Sequence, residues 1–160
     1  MAILTNSGRI AMAMSVKAQP IHLGWGSGNA TWDTTPQPES IDSAALLNEI
    51  GRRKAAYVAY CAQDDAGAIV VPTGKFAESA TPTKHLYMRF AFDFTDAPTS
   101  TIRELAVFVG TQVQAGLPSG QMYFAPSEVT DQGTLLVIEH IQKFERSASV
   151  RQTFEFVVTF

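Results

Sequence analysis

The residues with the widest chemical scope in this chain are His22, His85 and His140, together with its single cysteine, Cys61. Each histidine sits far from the next along an extended-looking segment, so the short-range spacing of metal ligands is absent and each reads as a surface or rim side chain. Cys61 lies in a run of small residues, where a buried and inert thiol is the ordinary outcome. His85, Asp93 and Cys61 are the trio from which a hydrolase reading would have to be assembled. The segment Gly24-Trp25-Gly26-Ser27-Gly28 does not place its serine in the Gly-x-Ser-x-Gly spacing of a nucleophile elbow. Nor is it a phosphate cradle: that needs glycines feeding a helix amino terminus, whereas these lead into Thr31, Trp32, Asp33, Thr34, Thr35 and Pro36, which are not expected to start a helix. Asp64 with Asp65 marks a turn, and Glu39 with Asp42 a helix start. The chain is therefore expected to be no enzyme, with no catalytic, cofactor or metal-binding residues.

The element that has to position everything else is the stretch 100–110, Ser-Thr-Ile-Arg-Glu-Leu-Ala-Val-Phe-Val-Gly. Its polar start runs into β-branched and aromatic residues and closes on glycine, the pattern of a central strand. Ile102, Glu104, Ala106 and Phe108 share one face, and Arg103, Leu105, Val107 and Val109 the other, so both faces are buried beyond the first residues. Arg103 and Glu104 then either pair with charges on neighbouring strands or sit at the solvated rim.

Upstream, Thr5, Asn6 and Ser7 are cap-type residues, and the good helix formers after them predict a short helix over 5–17 with Ile10 and Met14 at i, i+4 spacing. So short a helix must dock on something. The plain reading is packing on the protein's own sheet; the sharper one offers Ile10, Met12 and Met14 to a partner. Residues 21–25 read as a strand followed by a glycine turn, and Ser40 or Asp42 caps a second helix ending at Ile50, with Gly51 just past its end. A strand over 54–62, a turn at 64–67 and a returning strand at 68–71 read as a hairpin, with a strand or extended loop at 74–78. The clearest alternation is 85–94: Leu86, Met88, Phe90, Phe92 and Phe94 point inward from a half-buried antiparallel strand. Further strands are expected at 122–124 and 134–140, and at the terminus, where Phe154, Phe156, Val158 and Phe160 face inward. Helices early and strands late give an α+β fold, a largely antiparallel sheet or sandwich with one or two short amino-terminal helices packed on it.

At 160 residues the chain is expected to be one domain, 1–160. A charged fraction of 17% against 46% hydrophobic residues is slightly charge-poor, which fits a surface partly covered by partners. The net charge of −3, with Arg52, Arg53 and Lys54 as the densest basic cluster, argues against nucleic acid. The amino terminus lacks the basic-then-apolar order of a signal peptide and no apolar run is long enough for a membrane span, so a soluble cytoplasmic product is expected.

Arg103, Glu104, Leu105, Ala106, Val107 and Phe108 resemble the Arg-Glu-Leu-Gly-Leu-Tyr/Phe strand in the amino-terminal attachment domains of tail-fibre, tail-collar and baseplate proteins of tailed bacteriophages. The strand and glycine turn at 21–28, following an amino-terminal helix, are a second point of similarity. The resemblance implies a virion structural protein of the tail, assembled in the host cytoplasm, whose partners are other tail or baseplate proteins and tail fibres, with self-association. Ile10, Met12, Met14, Trp25 and Trp32 are the candidate partner contacts; Arg103, Glu104 and Phe108 are structural. The chain has no heptad or glycine repeat of a fibre shaft before Phe160, so an adaptor is expected in place of a receptor-binding fibre. An antiparallel sheet curled round an apolar small molecule is the alternative, supported by the phenylalanines on alternating strands.

Overall fold

The structure, a computed structural model, describes residues Met1–Phe160. Contacts gather into two compact units, each drawn from separate stretches: Met1–Gln19, Ala55–Phe90 and Thr153–Phe160 in the first, Pro20–Lys54 and Ala91–Gln152 in the second. One helix and twelve strands follow in the order α1 (Asn6–Lys17), β1 (Ile21–Gly26), β2 (Glu49–Lys54), β3 (Tyr57–Gln63), β4 (Ile69–Val71), β5 (Gly74–Ser79), β6 (His85–Phe92), β7 (Thr101–Val109), β8 (Gln112–Val113), β9 (Tyr123–Phe124), β10 (Val129–Asp131), β11 (Thr134–Glu145) and β12 (Gln152–Thr159). The protein is thus α+β, mostly antiparallel sheet with one short amino-terminal helix.

In the second unit a five-stranded sheet runs β11-β7-β1-β2-β9, and β8 pairs with β10 separately. β7 lies between β1 and β11, and Ile102, Glu104, Leu105, Ala106, Val107, Phe108 and Val109 are all buried, so both faces of the strand are covered as its sequence implies. β1 is antiparallel to both neighbours, with Trp25 opposite Leu105 and Gly51. Glycine is required at Gly26 because a Cβ there would collide with the Glu104 carboxyl group directly across the ladder. Gly28, at φ +56°, turns the chain out of the sheet with its open side against the Trp32 ring.

In the first unit the sheet runs β12-β6-β3-β5-β4. Leu86, Met88 and Phe90 of β6 are fully buried there, as their alternation predicts, and so is Phe92, already in the second unit, where the strand stops. Asp93 and Asp96 form a turn in which the Asp93 amide donates to Asp96 Oδ2 at 2.7 Å, so Phe94 is left half-exposed beneath the Arg151 guanidinium.

Three local expectations are corrected. No helix forms over 42–50: the segment is turns leading into β2, and Gly51 lies inside that strand. The Ser27 and Gly28 amides donate to the carbonyls of Asn48 and Leu47, Asn48 adopts φ 57°, and Leu46 packs with Ala106 and Phe108. These tertiary bonds outweigh the helix propensity of so short a stretch. Second, a 3₁₀ turn does form at Ala30–Asp33, because Asn29 Oδ1 accepts the Thr31 amide at 2.9 Å. Third, the neighbour of β3 is β5, not the strand at 68–71: Cys61 faces Glu78 and Gln63 faces Phe76, while β4 is an outer hairpin on β5. The buried Phe76 anchors β5 in the inner place, and the shorter β4 is left at the rim.

Candidate partner interface

The first candidate surface is α1. Thr5 caps it by accepting the Gly8 amide at 3.1 Å, and Lys17 in the last turn lies over the Tyr60 ring at 5.1 Å. Ala13 is fully buried, flanked by half-buried Ile10, Val16 and Lys17, so the docked stripe is centred on Ala13. Ile10 belongs to that inward stripe. Met12 and Met14 are turned outward, 46% and 47% exposed, among Asn6, Ser7, Ala11 and Ser15, and Ile3 and Leu4 are exposed ahead of the helix. None of these outward side chains is charged.

The second is the segment 27–48, which leaves β1 and returns at β2 within the second unit. Arg103 grips its first turn: the guanidinium donates to Asp33 Oδ1 and Oδ2 at 2.8 and 2.9 Å and to the Ser27 carbonyl at 3.0 Å. Lys143 adds a contact to Asp33 at 3.2 Å. The Arg103 hydrogen bond, with that of Lys143, pulls the Asp33 carboxyl down to about 2. Further along, Glu39 Oε1 accepts the His140 amide at 2.8 Å, which lowers the Glu39 carboxyl, and the His140 ring donates from Nδ1 to the Gln37 carbonyl at 2.7 Å. Trp32 stacks on the His140 ring, centroids 4.3 Å apart. Between the segment and β11 lies a cleft of about 380 Å³ lined by Trp32, Asp33, Pro36, Glu39, His140 and Lys143.

Trp25 is elsewhere. It is completely buried, stacked on Phe92 at 3.6 Å with Arg146 at 5.2 Å from its ring, and its indole Nε1 donates to the Tyr123 hydroxyl at 3.4 Å. It has no surface to give a partner. Phe108 is buried beneath Arg52, whose guanidinium is 4.0 Å from the ring and donates to both Glu49 oxygens at 2.7 Å, to Thr111 Oγ1 at 2.9 Å and to the Gln132 carbonyl at 2.8 Å. Glu104 does not sit at the rim; it is 1% exposed, and burial pushes its carboxyl up to about 7.

The reactive-looking residues are held in unreactive settings. Cys61 is the cross-strand partner of His85, but it is fully buried and burial raises its thiol to about 11, away from the thiolate a nucleophile needs. His85 Nδ1 is hydrogen-bonded to Thr159 Oγ1 at 2.8 Å, and Asp93 is paired with Arg151 at 3.0 Å. His22 is buried edge-on to Phe124 and lowered to about 4 by its burial. No group of three or more His, Cys, Asp or Glu is placed to hold a metal ion, and no helix is long and apolar enough to cross a membrane. The phenylalanines that suggest an apolar ligand pack on protein instead, Phe92 on Trp25 and Phe90 on Phe156.

Sequence reasoning missed Asp33, Gln37, Glu39, Lys143 and Arg146, all of which act across long stretches of chain. The nearest local signal was Asn29 after the glycine turn, a capping residue that predicts a tight turn and so fixes where Trp32 and Asp33 point.

What class of protein this sheet fold serves is given by its relatives, which are structural proteins of phage particles. The chain is 25% identical over 174 residues, covering 99% of itself and 95% of the relative, to Virion protein 3 of Enterococcus phage phiEF24C. The family described as baseplate wedge 3 tail fiber network component matches residues 1–160, and the chain belongs to that family. It is a structural protein of the tailed-phage baseplate and tail.

Proposed function

We propose that this protein is an adaptor in the baseplate, joining tail components and fibres through protein–protein contacts and associating with copies of itself, with neither nucleic acid nor membrane among its partners. It is assembled in the host cytoplasm and ends in the virion tail. The observation that carries this is the exposed, uncharged part of α1, where Met12 and Met14 stand out on either side of the docked stripe with Ile3 and Leu4 just ahead of the helix. Flexible apolar side chains left exposed on both flanks of a docked helix suit a protein-contact surface, since flanks facing only water carry charge. Trp32 and the cleft at His140 are a second contact candidate. Membership of a tail fiber network family supports the same role.

Met12→Glu with Met14→Glu tests it. Both side chains point away from the docked stripe, so the purified double variant is expected to keep its fold and melting temperature while failing to complement particle assembly. Normal incorporation of the variant into particles would remove α1 from the interface.

A further inference from the structure

Sheet edges carry unpaired backbone groups, and proteins guard them with short strands, charges, bulges or covering loops. The separate β8–β10 pair is made only of Gln112–Val113 and Val129–Asp131, and of the four edges of the two five-stranded sheets three are guarded. β9 has only Tyr123–Phe124 and β4 only Ile69–Val71. β11 is long, but its pairing with β7 is irregular at two places, Lys143 lies on it, and Glu39 and Gln37 occupy the His140 amide and ring nitrogen.

β12 is the exception. It is the outermost strand of its sheet, with β6 its one neighbour there, and it spans Gln-Thr-Phe-Glu-Phe-Val-Val-Thr with no Lys, Pro or Gly. Its single charge, Glu155, is held by the Tyr87 hydroxyl at 2.8 Å. We infer that β12 pairs antiparallel with the β12 of a second copy of this chain, about a two-fold axis through Phe156. This names a surface for the self-association proposed above and is independent of the α1 face.

The strand's own sequence selects the second copy as occupant. With the axis at Phe156, that residue faces itself, Phe154 faces Val158, Glu155 faces Val157 and Thr153 faces Thr159. The pairs are aromatic with aromatic, aromatic with β-branched, threonine with threonine and a carboxylate beside valine, none of them like charges, and all of the strand but Gln152 is used. Moving the axis to Glu155 sets two carboxylates opposite one another, and moving it to Val157 takes Thr153 out of the overlap.

The test is sedimentation velocity on the full-length chain across a concentration series, with two double variants at the exposed positions 153 and 159. Thr153→Glu/Thr159→Glu puts like charges opposite at both ends of the pairing, and Thr153→Glu/Thr159→Lys puts opposite charges there; both lose the same Thr159 contact to His85, so that effect cancels. The wild type is expected to dimerise reversibly, and the Glu/Glu variant to dimerise about tenfold more weakly than the Glu/Lys variant. A wild type that stays monomeric throughout, or equal dimerisation by the two variants, overturns the inference. If either variant fails to fold, hydrogen exchange on the wild type decides: the β12 amides should slow as concentration rises, and exchange independent of concentration overturns the inference equally.

Discussion

Glu104 and His22 are buried side chains whose charged forms the fold opposes, one a carboxylate and the other an imidazolium, and together they shape the response to pH. Burial raises Glu104 to about 7, so the folded chain favours its acid form. Its contribution to stability is complete below the ordinary carboxylate range and is lost as pH climbs through about 7. His22, lowered to about 4 by burial, is favoured neutral; its contribution is complete above the ordinary histidine range and is lost as pH falls toward about 4. The charged groups acting on Glu104 are His140 and Glu49, and those acting on His22 are Arg52 and Lys54. Glu104→Gln removes the first effect. The variant should match the wild type only below the ordinary carboxylate range and exceed it by about 1–2 kcal/mol above neutrality, read from urea unfolding at several pH values. Parallel stability curves for the two proteins would show that Glu104 is solvated or paired when charged.

Among elements, β7 was legible because a strand covered on both faces writes an unbroken apolar run into the sequence, and β6 because a strand buried on its Leu86–Met88–Phe90 side writes a strict alternation. The α1 start was legible from Thr5, a local cap. The segment 42–50 was not, since its conformation is decided by backbone bonds to Ser27 and Gly28, and no local pattern records a partner that far away. The identity of the neighbour of β3 was hidden for a related reason: alternation reports which face of a strand is buried but not which strand lies beside it. The five candidate contacts divided in the same way. Trp25 looked available because it stands beside a glycine turn, yet Phe92 and Arg146 enclose it from far along the chain, whereas the exposure of Met12 and Met14 follows from helix spacing once the docked stripe is centred on Ala13. The glycine turn itself yields a prediction at this scale. A methyl group at Gly26 would meet the Glu104 carboxyl group, which β7 and its neighbours hold in place, so Gly26→Ala is expected to lower stability by about 1–3 kcal/mol. Chemical denaturation measures it, and an unchanged midpoint would mean that β1 and β7 are not in this register.

At the scale of the molecule, the first unit is assembled from three stretches of chain and the second from two, each interrupting the other. Neither can be excised as one continuous segment, and we propose that the two unfold together as the single domain expected from chain length. Calorimetry should show one transition with equal calorimetric and van't Hoff enthalpies, and two resolved transitions would contradict it. This chain is a member of the baseplate wedge 3 tail fiber network family, and we propose that it connects fibres to the tail. The most direct measurement is electron microscopy of particles made without this protein. Tails that lack attached fibres are expected, restored by the wild-type chain but not by the Met12→Glu/Met14→Glu variant; complete, fibre-bearing baseplates in its absence would contradict the adaptor role.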